Sequence, residues 1–220
     1  MTHIVHPYAH RLGGLRDWKS QWTFSNKEDY KRFLKTDQIV RAFLEKELGN
    51  SFVSSIQFQR HSDDRYVVKI YTSRVGMIVG KDGKGVEKLT QKVKKQLKKN
   101  NLVVPTNLKI DLEEVSSPDS DAGIVAATVK EGLERKMPFR RVLKTAIEKS
   151  MADRNVKGIK ISVSGRLGGA DMARKEYLKK GRIPLSTFRA DVDYREARAN
   201  LPYGVIGVKV WIYRGEIFDK

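Results

Sequence analysis

The chain has 220 residues, no Cys, and 44 Lys and Arg against 26 Asp and Glu, a formal charge of +18 with a pI of about 10.0. A charge that far from neutral repels itself in a compact state and calls for a polyanionic partner. A membrane is not expected to be that partner, since no apolar run approaches the ~20 residues of a spanning helix and no lipidation motif is present. The lack of Cys removes a disulfide framework, a thiolate zinc site and a thiol nucleophile, and Met1 to His10 lacks the basic and apolar regions of a signal peptide. The expectation is a cytoplasmic protein that binds nucleic acid and folds as two small domains rather than one large one.

The first residues, to about 25, read as an extended arm. His6-Pro7 and Gly13-Gly14 interrupt any regular helix, while Trp18, Trp22 and Phe24 are apolar anchors that a free tail would lack. The arm should lie against a partner or against its own core. His3, His6 and His10 could suggest a metal cluster, but Pro7 breaks the helix that would align them, so no metal is expected. Asp29 to Leu48 has helical spacing, with a possible break near Thr36-Asp37 and a buried stripe of Tyr30, Phe33, Leu34, Val40, Phe43, Leu44 and Leu48. Phe52 to Arg60 and Arg65 to Thr72 alternate as two strands paired around His61-Ser62-Asp63-Asp64.

Next comes a short apolar run, Gly76-Met77-Ile78-Val79, then the turn Gly80-Lys81-Asp82-Gly83, then a helix from Lys84 to Lys99. Val86, Leu89, Val93 and Leu97 form its apolar stripe, and Lys88, Lys92, Lys94, Lys95, Lys98 and Lys99 make it basic. Glycines three apart let the backbone turn tightly against a partner, and the free N–H groups and positive dipole end of the following helix suit a phosphate. A P-loop is not available, because no Ser or Thr follows Lys84 in place, and a dinucleotide fingerprint would need a different strand context. A solvated charge run on a plain helix is the bland alternative. The pattern resembles the KH module, whose GXXG loop clamps single-stranded backbone. Helix, strand, strand, short helix, loop, helix and a strand over Leu108 to Val115 is the bacterial (type II) KH order.

In the second half, Asp119 or Ser120 should cap a helix running to Lys136, and Pro138 should open another running to about Arg154. Arg140, Arg141, Lys144 and Lys149 lie on the exposed side of the latter. Ile159 to Val163 is a strand ending at Ser164-Gly165. A glycine-rich loop then leads to a short amphipathic piece and a basic knot, Lys179-Lys180-Gly181-Arg182. Two further strands carry Phe188, Ala190, Val192 and Tyr194, and Ile206, Val208, Val210 and Ile212. The fold class is α+β: a type II KH domain followed by an α/β domain with two helices packed on a mixed sheet. The expected boundaries are an arm over 1–28, the KH domain over 29–105 and the second domain over 106–220.

Taken over almost its full length, the chain resembles the bacterial family of small-subunit ribosomal protein three. The resemblance rests on His6-Pro7 with Arg11-Leu12-Gly13, on Ile78 to Gly83 with Val86-Glu87-Lys88-Leu89, and on Phe139-Arg140-Arg141. Ser164 to Ala170 and Tyr203 to Ile212 are the most specific runs. It implies a structural, non-enzymatic protein bound to rRNA in the head of the small subunit, beside proteins ten and fourteen and near the mRNA entry channel. It implies no cofactor and no small-molecule substrate. The family's mRNA-unwinding residues match Arg140, Arg141 and Lys144. Other candidate RNA contacts are Gly80, Lys81, Asp82, Gly83, Lys84, Lys88, Lys92, Lys95, Arg166, Lys179, Lys180 and Arg182. Asp82 puts a negative charge inside the loop, which favours an anchoring role over reading single strands. The rival readings are a non-ribosomal KH adaptor and a nuclease or repair enzyme. For the last, Asp191 and Asp193 share one strand face and could hold a metal, although basic neighbours point to ion pairing.

Overall fold

A computed structural model describes residues 6–24, 26–49, 51–61, 65–80, 83–105 and 107–218, and in it Lys27–Glu47 is one unbroken helix, α1. The expected break is absent because the polar pair at its middle is satisfied internally. Thr36 donates its hydroxyl to the Arg32 carbonyl at 2.8 Å, and Asp37, only 3% exposed, is an acceptor at the core. Its carboxylate takes the Trp22 indole N–H at 2.8 Å, the Arg60 guanidinium at 2.7 Å and the Tyr66 hydroxyl at 2.9 Å. Arg60 lies between the rings of Phe33 and Tyr66, 4.3 Å from each centroid. Burial and then the Asp37 carboxylate push the Tyr66 hydroxyl far above the ordinary phenol value. Of the expected stripe, Val40, Leu44 and Leu48 are core, while Tyr30 and Leu34 are exposed.

Around α1 are built a two-residue strand β1 (Ser20–Gln21), the antiparallel pair β2 (Val53–Arg60) and β3 (Arg65–Thr72), helices α2 (Val75–Val79) and α3 (Gly85–Lys99), and β4 (Asn107–Glu114). The four strands form one sheet in the order β1-β2-β3-β4, with β1 and β4 parallel to their neighbours. Phe58, Val68, Ile70 and Ile110 on one face bury against Val40 and Leu44 of α1 and Leu89, Val93 and Leu97 of α3. Asn101, at φ 53, ends α3 in the left-handed conformation as Leu102 N–H returns to the Leu97 carbonyl.

The two compact units are Trp18–Ser116 and Met1–Asp17 with Ser117–Lys220. This corrects the expected boundary at 105: β4 pairs with β3 from Asn107 to Glu114, so it belongs to the first unit. The described part of the arm packs against its own core, one of the two settings expected for it, rather than forming a separate segment. It belongs to the two units themselves, residues 6–17 to one and 18–24 to the other.

The second unit contains α4 (Ala122–Glu134), α5 (Phe139–Ala152), β5 (Gly158–Gly165), β6 (Arg174–Gly181), β7 (Ala190–Leu201) and β8 (Gly204–Glu216). Asp121, not Asp119 or Ser120, caps α4, accepting from the N–H groups of Gly123 at 2.8 Å and Ile124 at 3.1 Å. Pro138 is the N-cap of α5 rather than its first residue. The sheet order is β6-β5-β8-β7, and every pairing is antiparallel, so the mixed sheet belongs to the first unit and not to this one. Ile159, Ile161, Val163, Val208, Val210 and Ile212 face the helices and form the main core with Val129, Leu143 and Ile147. On the opposite face, Val192, Tyr194, Trp211 and Tyr213 form a smaller cluster covered by Tyr8, Ile183 and Leu185.

Asp193 ties this unit together. Its carboxylate accepts from the Tyr8 hydroxyl at 2.5 Å, the Ala122 N–H that begins α4 at 2.9 Å and the Arg214 guanidinium at 3.2 Å, with Arg16 at 3.6 Å. Arg16 also pairs with Asp191 at 2.7 Å. The two aspartates that could have held a metal are therefore ion-paired. Arg11, 1% exposed, gives its guanidinium to carbonyls of Pro7 and Ala190, both at 2.7 Å, and of Thr187 at 2.8 Å. Burial alone would raise the Asp193 carboxyl, but Arg16 and Arg214 outweigh it and hold the group below its ordinary value. Its stabilising contribution is thus complete above about pH 4 and is lost as pH falls through the depressed value. Asp193→Asn should lower the stability of this unit by about 2–3 kcal/mol at neutral pH and flatten its acid limb below about pH 4, read by thermal unfolding across pH. An acid limb unchanged by the substitution would contradict this account.

Candidate nucleic-acid interface

The candidate residues fall in two groups, one in each unit. In the first, Gly80 follows α2 with φ 73 and Gly83 precedes α3 with φ 71, conformations that side chains rarely adopt. A Cβ added at either would meet nothing within 4 Å, so the backbone is open at both glycines. Lys81 and Asp82 lie outside the described residues. Gly85 works differently: a Cβ there would sit 2.1 Å from the Ile78 carbonyl oxygen, so this glycine lets α3 begin directly against the end of α2. Among the described residues no side chain caps the first N–H groups of α3. Lys84, Lys88 and Lys95 are exposed around and along α3, opposite the buried Leu89, Val93 and Leu97. Lys92 is also exposed but pairs with Glu47 at 3.0 Å.

In the second unit, Arg140 and Arg141 occupy the first turn of α5, and Lys144 follows one turn later, all three exposed. Cations at a helix N-terminus oppose the macrodipole, at a cost of about 0.3–1 kcal/mol each, and no capping side chain offsets it here. Arg140 is steadied by Glu176 at 3.4 Å and by the Phe139 ring at 5.5 Å. Arg141 and Lys144 have no ion-pair partner among the described residues. The arrangement is a helix start carrying uncompensated positive charge, held by the core residues Val142, Leu143, Ala146 and Ile147 behind it.

The remaining candidates differ in kind. Lys179 and Lys180 lie on β6, an edge strand for which the sequence pattern suggested only an amphipathic piece and a knot. Their side chains alternate, Lys179 beside Lys160 on the open face and Lys180 beside Ile159 on the helix face. Arg182 follows the strand and is exposed. Arg166 is occupied within its own loop, donating to the Ala170 carbonyl at 3.0 Å, the Tyr203 carbonyl at 3.3 Å and Asp171 at 2.8 Å. It braces the loop that Gly168 turns at φ 70. The sequence reasoning missed Arg174, which shares Glu176 with Arg140 and approaches the Phe139 ring at 5.9 Å. It also missed the open face of the second sheet, which could be seen only once β6 was recognised as a strand.

Gly76 is the counterpart to Gly85, since a Cβ at Gly76 in α2 would meet nothing within 4 Å. Gly85→Ala should destabilise the first unit by about 2 kcal/mol through forced displacement of α2 from α3. Gly76→Ala should leave it unchanged or stabilise it by about 0.5–1 kcal/mol. Denaturant unfolding of the two variants checks the opposite signs.

Comparison with known proteins bears on both units. A KH domain family model matches residues 39–120, and the model described as "Ribosomal protein S3, C-terminal domain" matches residues 129–212. Among curated proteins, the small ribosomal subunit protein uS3 of Buchnera aphidicola is 45% identical over 99% of this chain and 88% of its own. The protein of that name from Alkaliphilus metalliredigens is 40% identical over 99% of this chain and 89% of its own. The one from Alkalilimnicola ehrlichii is 42% identical over all of this chain and 93% of its own.

Proposed function

The chain belongs to the uS3 family of small ribosomal subunit proteins, and from that premise we propose that it binds rRNA in the head of the small subunit and lines the mRNA entry channel. As a member of that family it is a structural constituent of the small subunit and not an enzyme. In this reading the first unit anchors the protein: the Gly80–Gly83 turn, the start of α3 and Lys84, Lys88 and Lys95 hold rRNA phosphates. Such contacts position a protein without reading sequence. Ribosomal proteins ten and fourteen are its neighbours, and the incoming mRNA is its moving partner.

The observation that carries the mRNA role is the placement of Arg140, Arg141 and Lys144. Positive charge at the start of α5 works against the helix unless an external anion is present. Guanidinium groups hold phosphates bidentately, and residues at i and i+4 share a face while i+1 lies close beside it. The three can hold the backbone of an mRNA strand on entry and disfavour its re-pairing, with no bond made or broken.

Replacing Arg140, Arg141 and Lys144 together with Ala should slow translation of mRNA with a stable hairpin at the entry side several-fold more than that of an unstructured message. Incorporation into subunits should persist, because none of the three is buried. Equal slowing of both messages would exclude the role. For the anchoring role, Lys84, Lys88 and Lys95 changed together to Ala should reduce retention on small subunits as salt is raised, read by co-sedimentation. Retention at the wild-type salt threshold would count against that assignment.

A further inference from the structure

On the face of the second sheet away from α4 and α5, the register sets side chains in rungs across all the strands. One rung is Tyr177, Ser162, Lys209 and Glu196. The next is Lys175, Ser164, Gly207 and Arg198. Residues directly opposite on neighbouring strands project to the same side, so these form one surface. Its middle is low: Ser164 is an exposed hydroxyl, and Gly207 has no side chain and would press a Cβ to 3.2 Å from the Ser164 Oγ. Lys175 and Arg198 flank this floor from the two edge strands, three strand spacings or about 14 Å apart. Neither makes an ion pair among the described residues. Tyr177 stands above the floor, 60% exposed, and Lys160 Nζ lies 4.9 Å from its ring centroid and 5.3 Å from that of Trp211.

We infer that this trough is a second RNA-binding site, which takes an unpaired segment of RNA by stacking a base on Tyr177 and seating adjacent phosphates on Lys175 and Arg198. The inference rests on the chain being an RNA-binding protein of the small subunit and is independent of the role given to α5. Three features select the occupant. Lysines on an edge strand commonly serve only to block strand addition, which would account for Lys175 and Lys179. The same reading covers Arg198 on the opposite edge, but it leaves unexplained Lys209 on an interior strand and an aromatic ring raised into solvent. A protein partner would favour a face depleted in Lys, whereas in these rungs cations outnumber the lone carboxylate, Glu196, which is itself paired with Lys209 at 3.1 Å. Aromatic platforms flanked by cations are the general means of holding single strands without sequence preference. The covered end of the same face shows why the trough is free. Tyr8, Ile183 and Leu185 pack on Tyr194, Trp211 and Tyr213, leaving Tyr177, Ser164, Lys175 and Arg198 exposed, with Ser162 buried between Tyr177 and Lys209.

The test uses the full chain and a fluorescent oligouridine. Tyr177→Ala should weaken binding at least about fivefold with the salt slope unchanged, and Tyr177→Phe should bind as wild type. Lys175→Ala with Arg198→Ala should lower the log–log salt slope by about 1.4, about 0.7 for each phosphate no longer neutralised. The Arg140/Arg141/Lys144 alanine variant should still show the Tyr177 effect, so failure here is distinguishable from failure of the mRNA role. Short-wave ultraviolet irradiation of assembled small subunits should cross-link Tyr177 to RNA. Weakening by the charge variant without any from Tyr177→Ala would mean a non-specific basic surface and overturn the inference. So would a photo-reactive group at position 177 that captures only protein in the assembled subunit.

Discussion

Two buried aspartates, Asp37 in the first unit and Asp193 in the second, hold the structure that everything else is mounted on. In a chain of charge +18, a carboxylate in the interior is one of the few groups that can gather cations and phenols rather than repel them. Asp37 gathers Trp22, Arg60 and Tyr66, and Asp193 gathers Tyr8, Arg16, Arg214 and the first N–H of α4. Each network joins a piece of the N-terminal arm to a helix or a sheet of its own unit. Such networks are stabilising only when all members are satisfied, because removing one partner leaves a buried charge uncompensated. The many exposed pairs, such as Lys92–Glu47, contribute little by comparison.

The consequence is a division of labour among charges. Asp37 and Asp193 are drawn inward and several other carboxylates into pairs, while Glu87, Asp119 and Glu148 remain exposed. Some of the cations left unpaired occupy places that local energetics would not choose: the start of α5, the start of α3, and the open face of the second sheet. Local rules broken in this way, on elements whose other faces pack well, mark the surfaces at which a partner completes the electrostatics. Rigid cores behind them, Leu143 and Ile147 beneath α5 and Ile161 and Val210 beneath the sheet, keep the cations in place before any partner arrives.

Much of the scaffold was legible in the sequence. Helical spacing marked α1, α3, α4 and α5, alternation marked β2, β3, β5, β7 and β8, and the paired glycines marked the turn between α2 and α3. The misses have physical causes. The strand β6 reads Arg-Lys-Glu-Tyr-Leu-Lys-Lys-Gly and lacks apolar alternation because it lies at the sheet edge with neither face buried. Thr36-Asp37 looked like a helix break because the partners that satisfy Asp37 are 15, 23 and 29 residues away. The boundary at 105 cuts off the Leu108 to Val115 strand that the KH order itself requires, and the pairing of β4 with β3 holds that strand in the first unit. The basic residues of α5 were visible as a face, but their conflict with the helix dipole was apparent only once Pro138 proved to be the cap.

These features separate anchoring from work. In the proposed anchoring role, the start of α3 beside Gly83 would offer a fixed dipole, which suits a stationary phosphate: nothing in it needs to let go. The side chains of Arg141 and Lys144 are long, exposed and without an ion-pair partner among the described residues, so in the proposed role they would exchange one phosphate for the next at little cost in reorganisation. A channel that must pass a moving strand favours the second kind of contact, since binding strong enough to capture must still be weak enough to release. Arg140 is intermediate, tethered to Glu176 at 3.4 Å but 74% exposed along its side chain. In that tether the fold supplies a competing internal anion, which in the proposed role would lower the advantage of any single phosphate and so favour transfer over arrest.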